Sequence, residues 1–183
     1  MVLVSCSADQ AANTEVAVTA MALTPTTTVP AASYNTDISI REIMASLIDP
    51  QADKIWNSVR VISDSNGITE YTPETDEEWG ALRRSTIAII EVSNALMMPG
   101  RSVAPPGAQG EFPEYEFTPE EVQARLEADF TSWTGFAENL QDNGLGIVDA
   151  IDNRDTEKLS EWGAYLDEAC EACHSAYWYR VGI

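Results

Sequence analysis

Apolar residues recur three and four positions apart along most of the chain after residue 36, and this spacing restricts the possible folds more than any other feature. Such spacing gathers apolar side chains on one face of an α-helix. Strand-type alternation of apolar and polar residues is not evident. Four amphipathic stretches result, which begin near Ile40, Thr75, Thr118 and Asp155. Because four apolar faces bury one another best side by side, we predict an all-α fold, an antiparallel four-helix bundle.

Local signals mark where these helices begin and end. Capping boxes, in which a hydroxyl residue precedes an acid by three positions, are predicted at Thr75–Glu78 and at Thr118–Glu121. Pro50 interrupts the first stretch, so it either opens a new helix or kinks a long one. The glycines of 144–146 either bend or break the third helix. Residues 99–117 lack periodicity and predict a long loop.

The first 35 residues differ in composition from the rest. Leu3-Val4-Ser5-Cys6 resembles the lipobox of bacterial lipoproteins, in which the cysteine carries the lipid. Residues 7–35 are rich in Ala, Thr, Ser and Pro, which predicts a disordered, flexible tether. We therefore divide the chain into an N-terminal tether, 1–35, and a helical domain, 36–183. Cys6 is either a lipid anchor or an incidental cysteine in a disordered tail.

The charge of the chain is strongly negative, with 10 Lys and Arg against 30 Asp and Glu and a net charge of −20. This balance excludes nucleic-acid binding, which needs cations to replace counterions around phosphate, and it opposes electrostatic attachment to anionic lipid. A basic protein partner is compatible with it, as is adaptation to salty surroundings. The sequence has no run of about eighteen apolar residues, so no transmembrane helix is predicted.

Cys170-Glu171-Ala172-Cys173-His174 is the C-x-x-C-H pattern of covalent haem attachment. The two thiols add across the two vinyl groups of haem, and the imidazole that follows ligates the iron. On a helix these three side chains lie within about one turn, so they face the same side. The pattern therefore predicts one covalently bound haem c, attached through Cys170 and Cys173 and ligated by His174.

Three other interpretations share part of this pattern. A zinc site needs a second pair of ligands, whereas the chain has no other histidine and its third cysteine, Cys6, lies in the tether. A thioredoxin-like redox pair belongs in an α/β fold, for which no strands are evident. The remaining alternative is a chance pair of cysteines in a helical core.

The position of the motif carries a family resemblance. A C-terminal C-x-x-C-H on the last of four helices, with Tyr177 three residues after the histidine, resembles the cytochrome c-prime family and its low-spin, methionine-ligated relatives. The resemblance covers roughly residues 37–180. That family usually has a basic residue four positions after the histidine, where this chain has Trp178. Three further segments are similar to motifs of such cytochromes: Ile40–Leu47, Thr75–Trp79 and Met97–Arg101.

The resemblance implies the rest of the site. Met44 stands where the low-spin relatives supply a second axial ligand, and Met97 and Met98 are alternatives; otherwise the sixth iron position is open. Arg41 and Arg101 are candidates for pairing with the haem propionates.

The function expected from these residues is that of a periplasmic monohaem electron carrier, lipid-anchored if Cys6 carries a lipid, that meets redox protein partners and is not an enzyme. The alternative is a five-coordinate protein that binds NO or CO. Peroxidase chemistry normally uses a distal histidine, and the single histidine of this chain is already assigned to the iron. The family resemblance also allows a homodimer, and the covalent attachment of haem implies a location outside the bacterial cytoplasm.

Overall fold

The computed structural model describes residues 33–65, 67–108 and 113–180. All of its helices and strands belong to the unit Tyr34–Ile183, which is mostly helical, as predicted. Nearly all of the predicted tether, including Cys6, lies outside the described residues. The elements are α1 (Ile40–Ile43), a π-helical turn (Met44–Ile48), α2 (Asp49–Trp56), β1 (Arg60–Asp64), β2 (Gly67–Tyr71), α3 (Asp76–Leu96), α4 (Pro119–Ala128), α5 (Phe130–Asp152) and α6 (Thr156–Tyr177).

Two helices begin at the capping boxes that the sequence predicts. At the start of α3, Thr75 Oγ1 accepts a hydrogen bond of 3.2 Å from the Glu78 backbone N–H, and the Glu78 carboxylate accepts one of 2.8 Å from the Thr75 N–H. Thr118 and Glu121 form the same reciprocal pair at the start of α4, at 3.3 and 2.8 Å. Each box satisfies N–H groups that a helix start otherwise leaves without a partner.

The third amphipathic stretch forms two helices rather than one. The chain turns at Asp129, whose backbone angles of φ −144° and ψ 71° are not helical. The Asp129 carboxylate then caps α5, because it accepts hydrogen bonds from the Ser132 N–H at 3.0 Å and from the Ser132 hydroxyl at 2.6 Å. Apolar spacing continues across this break, which is why periodicity alone does not reveal it.

Helix α5 continues through Gly144 and Gly146 without a break. A Cβ atom at Gly144 would collide with the side chain of Ile90 on α3, and one at Gly146 would collide with the ring of Trp162 on α6. Both glycines therefore let α5 pack closely against α3 and α6, and this packing is why glycine stands in the interior of the helix.

The core lies between the helices. Helix α5 packs against both α3 and α6, and α2 packs against the same two helices. Helix α4 contacts α5 and α6. The largest fully buried apolar side chains in this core are Trp133, Ile40, Ile89, Ile147, Leu159, Leu166, Val103 and Val122.

Residues 60–64 and 67–71 pair as two antiparallel strands, so the prediction that the chain has no strands is wrong here. Arg60 pairs with Tyr71 and Asp64 with Gly67, whose positive φ of 123° is one that glycine adopts readily. All described residues of both strands are exposed. The hairpin buries no apolar face, so the apolar pattern that guides strand prediction is missing from it.

Within the described parts of the chain, the helices are either too short or too polar to cross a lipid bilayer.

Candidate functional site

An apolar cleft lies where the helices α2, α3, α5 and α6 meet the π-helical turn. It opens to solvent, and its enclosed cavity of about 30 Å³ has room for little more than water, so side chains would have to move apart to admit a larger group. Its lining is apolar except at a few points. The lining residues are Met44, Ile48, Asp49, Leu96, Trp133, Phe136, Ala137, Leu140, Ala169, Cys170, Cys173 and His174.

Helix α6 brings the three residues of the C-x-x-C-H motif to this cleft. Asp155 caps the helix by accepting a hydrogen bond of 3.0 Å from the Lys158 N–H, and Leu159 and Leu166 fix one of its faces in the core. Cys173 and His174 follow Cys170 by three and four residues, so all three lie on the same face of α6 within about one turn. All three are half-buried, and neither cysteine is in a disulfide.

Burial keeps both thiols protonated. It raises the pKa of Cys170 to about 11, with nearby carboxylates, first Asp167 and then Asp49, adding to the rise. Burial likewise raises the pKa of Cys173 to about 12. Redox-active thiol pairs depend on a lowered thiol pKa, because the thiolate is the nucleophile. This environment therefore opposes the thioredoxin-like interpretation of the two cysteines.

The π-helical turn supplies the facing side of the cleft. Pro50 has no backbone N–H, and its ring would collide with the carbonyl of Ser46 in a regular α-helix. The helix widens one turn earlier, where the Asp49 N–H donates to the carbonyl of Met44, five residues back. Turns of this kind occur mostly as single insertions in α-helices and often lie at functional sites.

The wider turn changes which residues face inward. The apolar spacing places both Leu47 and Ile48 on the inner face of a regular helix, yet only Ile48 is buried, at 3% exposure, whereas Leu47 is 44% exposed. The turn also places Asp49 in the lining with Met44, although residues five apart in an α-helix point about 140° away from each other. Asp49 is the one cleft residue with a carboxylate, and the sequence did not predict it. The only signal was Pro50, which indicates an irregular turn without specifying it.

Aromatic side chains of α5 form much of the remaining wall. Trp133 is 2% exposed, and its ring meets that of Tyr177 edge to face, with centroids 5.1 Å apart. Phe136 packs on the same tyrosine in the same way at 5.9 Å. Since Tyr177 lies three residues after His174, this packing anchors the last turn of α6 beneath the cleft.

A second set of contacts holds the end of α6. The His174 carbonyl accepts hydrogen bonds from the N–H groups of Trp178 at 2.7 Å and Tyr179 at 3.1 Å, which closes the helix. Residues 115–117 then pair with 178–180, through Phe117 N–H to Trp178 O at 2.8 Å and Arg180 N–H to Tyr115 O at 2.7 Å. We call this pairing the C-terminal clasp.

Two arginines reinforce the C-terminal clasp by stacking on one ring. The guanidinium carbons of Arg125 and Arg180 lie 4.4 and 4.5 Å from the centroid of Phe117. Arg125 also donates to the carbonyl of Ala176 at 2.8 Å, and Arg180 pairs with the Glu121 carboxylate at 2.6 Å. These cations lie near the end of α6, where they complement the negative end of the helix dipole.

The structure places Arg101 away from the cleft. It is 6% exposed, and its guanidinium donates to the carbonyls of Ala95 at 2.9 Å, Asn35 at 3.4 Å and Ile38. It also contacts the sulfur of Met98 at 3.4 Å. These carbonyls use donors of Arg101, and Arg101 is not among the residues that line the cleft, so its predicted pairing with a propionate stays a prediction.

The other predicted residues divide between the cleft and the surface. Met44 is the one methionine among the described residues that lines the cleft, whereas Met97 packs elsewhere on the core and Met98 contacts Arg101. Arg41 is exposed on α1, three residues before Met44, and is not part of the lining.

The donor set in the cleft suits haem better than a bare metal ion. Within the described residues, no three histidine, cysteine or acidic side chains come close enough to hold an ion. The cleft instead joins two thiols, one imidazole and one thioether around an apolar space. Thioether and imidazole are known axial ligands of haem iron, and apolar walls suit a porphyrin ring. The residues present therefore fit a covalently attached haem.

No protein-family model matches the chain, and neither a curated protein nor a solved structure shows significant similarity to it.

Proposed function

We propose that this chain is a monohaem c-type cytochrome that carries electrons. The single observation that supports this proposal best is the convergence of Cys170, Cys173, His174 and Met44 on one apolar cleft. Met44 lies on the first helical stretch and the others on the last, so proximity in sequence does not explain their meeting. A chance pair of cysteines in a helical core would not require it.

A four-helix bundle of the cytochrome c-prime type is the architecture that goes with this function. The helix α2 with its π-helical turn, and α3, α5 and α6, are the four long members, and their mutual contacts are those of a closed ring. On this proposal α4 and the hairpin β1–β2 are additions outside the ring. The haem would occupy the interior at one end, between α6 and the π-helical turn.

Each cleft residue has a definite role in the proposed site. Cys170 and Cys173 would hold the haem through thioether bonds, and His174 would ligate the iron. Met44 would supply a thioether ligand, which raises the reduction potential. The haem, when bound, supplies an iron that alternates between the ferric and ferrous states. Trp133, Phe136 and their neighbours exclude water, which keeps the local dielectric low.

A five-coordinate protein that binds NO or CO is the second candidate. It is favoured by the surroundings of Met44, because Ile48, Leu96 and Leu140 line the same cleft and would leave an apolar pocket if the thioether did not ligate. Peroxidase or NO reductase activity is not proposed, since no second histidine exists to act as a distal acid or base.

The cellular setting follows from the same proposal. Covalent attachment of haem places the protein in the periplasm, and the lipobox-like segment around Cys6 would tether it to a bacterial membrane. The net charge of −20 favours basic redox partners, since opposite charges steer encounter.

The proposal is tested by producing the chain together with a bacterial haem-attachment system. We expect haem that stays with the polypeptide after denaturation, and that is lost in the double variant Cys170→Ala/Cys173→Ala but retained in Cys6→Ala. Purified chain without covalent haem, in cells that mature a reference cytochrome c, would overturn the proposal.

The sixth ligand is decided by the optical spectrum. A sharp α-band in the reduced protein, unchanged by carbon monoxide, supports electron transfer. Loss of that band in Met44→Ala, but not in Met97→Ala, assigns the ligand. A broad high-spin spectrum that shifts with carbon monoxide supports the gas-binding alternative instead.

A further inference from the structure

The π-helical turn places an acid in a cleft whose lining is mostly apolar. The Asp49 N–H bonds to the carbonyl of Met44, and this widened turn brings the Asp49 side chain into the lining beside the proposed iron ligands. In a regular α-helix Asp49 would point about 140° away from Met44. The placement is thus a specific consequence of the local backbone.

We infer that Asp49 is a potential-setting residue, whose negative charge at the mouth of the cleft favours the ferric over the ferrous iron. This inference rests on the proposed function. A fixed anion stabilises the more positive oxidation state, and local charge is one of the levers by which a protein sets the potential of haem iron. Asp49 opposes Met44, whose thioether raises the potential, so two neighbours on one turn act in opposite directions.

The electrostatic interactions of Asp49 indicate that its charge acts on residues of the cleft. Partial burial raises the pKa of the Asp49 carboxyl, the charge of His174 opposes that rise, and Asp53 adds to it. Asp49 in turn raises the pKa of the Cys170 thiol. Asp49 is therefore electrostatically coupled to the proposed attachment residue Cys170, and it shares the cleft lining with the proposed iron ligand His174. Because the residue remains exposed overall, salt screens part of its effect.

Asp167 offers a matched control on the opposite helix. Its charge raises the pKa of Cys170 more than that of Asp49 does, yet it lies outside the cleft lining, in a groove beside Trp56 and Gly163. Substituting Asp167 removes one negative charge, as the Asp49 substitution does, but it leaves the residues that line the cleft unchanged. Any effect of net charge alone therefore appears in both variants.

The first experiment compares the reduction potentials of Asp49→Asn, Asp167→Asn and the wild-type holoprotein. We expect a positive shift in Asp49→Asn that exceeds the shift in Asp167→Asn and that shrinks as the ionic strength rises. Equal shifts, or none, in a holoprotein with an unchanged optical spectrum would overturn the inference and leave the proposed function intact. If the wild type attaches no haem, the proposed function fails and this inference fails with it.

The second experiment needs no haem. In full-length chain with Cys6→Ser and Cys173→Ser, Cys170 is the only thiol, and its alkylation rate at a fixed pH near 9 reports its thiolate fraction. We expect both Asp49→Asn and Asp167→Asn to accelerate alkylation. An unchanged rate in Asp49→Asn, with an increased rate in Asp167→Asn, would show that Asp49 does not act on the cleft and would overturn the inference.

Discussion

The indole N–H of Trp133 donates a hydrogen bond of 2.7 Å to the backbone carbonyl of Leu96, and both residues line the cleft. Leu96 is the last residue of α3, so its carbonyl has no partner within the helix. The bond therefore satisfies a buried acceptor and fixes α5 against α3 at the wall of the site.

Replacing the indole of Trp133 should destabilise the folded protein. We expect Trp133→Phe to lower the free energy of unfolding by about 3 kcal/mol, because it leaves a buried carbonyl unsatisfied and a small cavity. Trp56→Phe is the matched control, since Trp56 also donates to a carbonyl, that of Gly163 at 2.9 Å, but is 36% exposed. Its cost should be about 1 kcal/mol in urea titrations. Equal costs for both variants would contradict this account of the cleft wall.

Arg101 should matter for folding and not for the iron. Arg101→Gln removes hydrogen bonds that a buried guanidinium donates to the carbonyls of Asn35, Ile38 and Ala95, so we expect about 3 kcal/mol of destabilisation by denaturant titration. Arg41→Gln, at an exposed position on α1, should change stability by less than about 0.5 kcal/mol. The optical spectrum of holoprotein carrying Arg101→Gln should match that of the wild type. A large spectral change at full occupancy would instead restore Arg101 to the haem site.

Two glycines of α5 should respond oppositely to alanine. Gly146→Ala sets a methyl group against the rigid ring of Trp162, whereas the space around Gly135 is open. We expect Gly146→Ala to destabilise by about 2 kcal/mol or more through overpacking, and Gly135→Ala to stabilise by up to about 1 kcal/mol through helix propensity. Thermal unfolding of the two variants measures both changes in stability, which should have opposite signs. A stabilising Gly146→Ala would mean that α5 and α6 are not in close contact there.

The cap of α4 should give a pH-dependent contribution to stability. A hydrogen bond from Arg180, and then one from the Thr118 N–H, hold the pKa of Glu121 below its usual range. A lowered pKa in the folded state gives stability that is present above the unfolded value, about 4.3, and is lost as pH falls through the folded value. Glu121→Gln should therefore be less stable than the wild type at pH 7, and the difference should vanish toward pH 3.

Glu120→Gln controls for this experiment, because it removes a charge from the same helix turn without breaking the cap. Urea titrations at pH 7, 5, 4 and 3 measure the difference for each variant. A gap between Glu121→Gln and the wild type that persisted at pH 3 would contradict the assigned role of this carboxylate.

The starts of α3 and α4 were predictable because their signals are local. Thr75 with Glu78 and Thr118 with Glu121 need only a few neighbouring residues to form, and both boxes lie where the sequence predicts. The convergence of Cys170, Cys173 and His174 on one helix face follows equally from spacing alone.

The features that the sequence did not predict depend on distant packing or on backbone adjustment. The hairpin of 60–71 buries no face, so it lacks the alternating pattern, although β-branched residues around Gly67 were a weak signal. The π-helical turn follows from the conflict between Pro50 and the Ser46 carbonyl, and its exact position depends on how the flanking helices pack. Asp49 was missed for that reason, since its place in the cleft exists only because of this turn.

The C-terminal clasp has a consequence for the lifetime of the proposed iron–histidine bond. His174 lies in the final turn of the final helix, the part of a helix that frays most readily. Pairing with residues 115–117 ties this turn to a segment far away in the sequence. On the proposed function, a single proteolytic cut in the loop before α4 would therefore loosen the iron–histidine bond without removing any residue of the cleft.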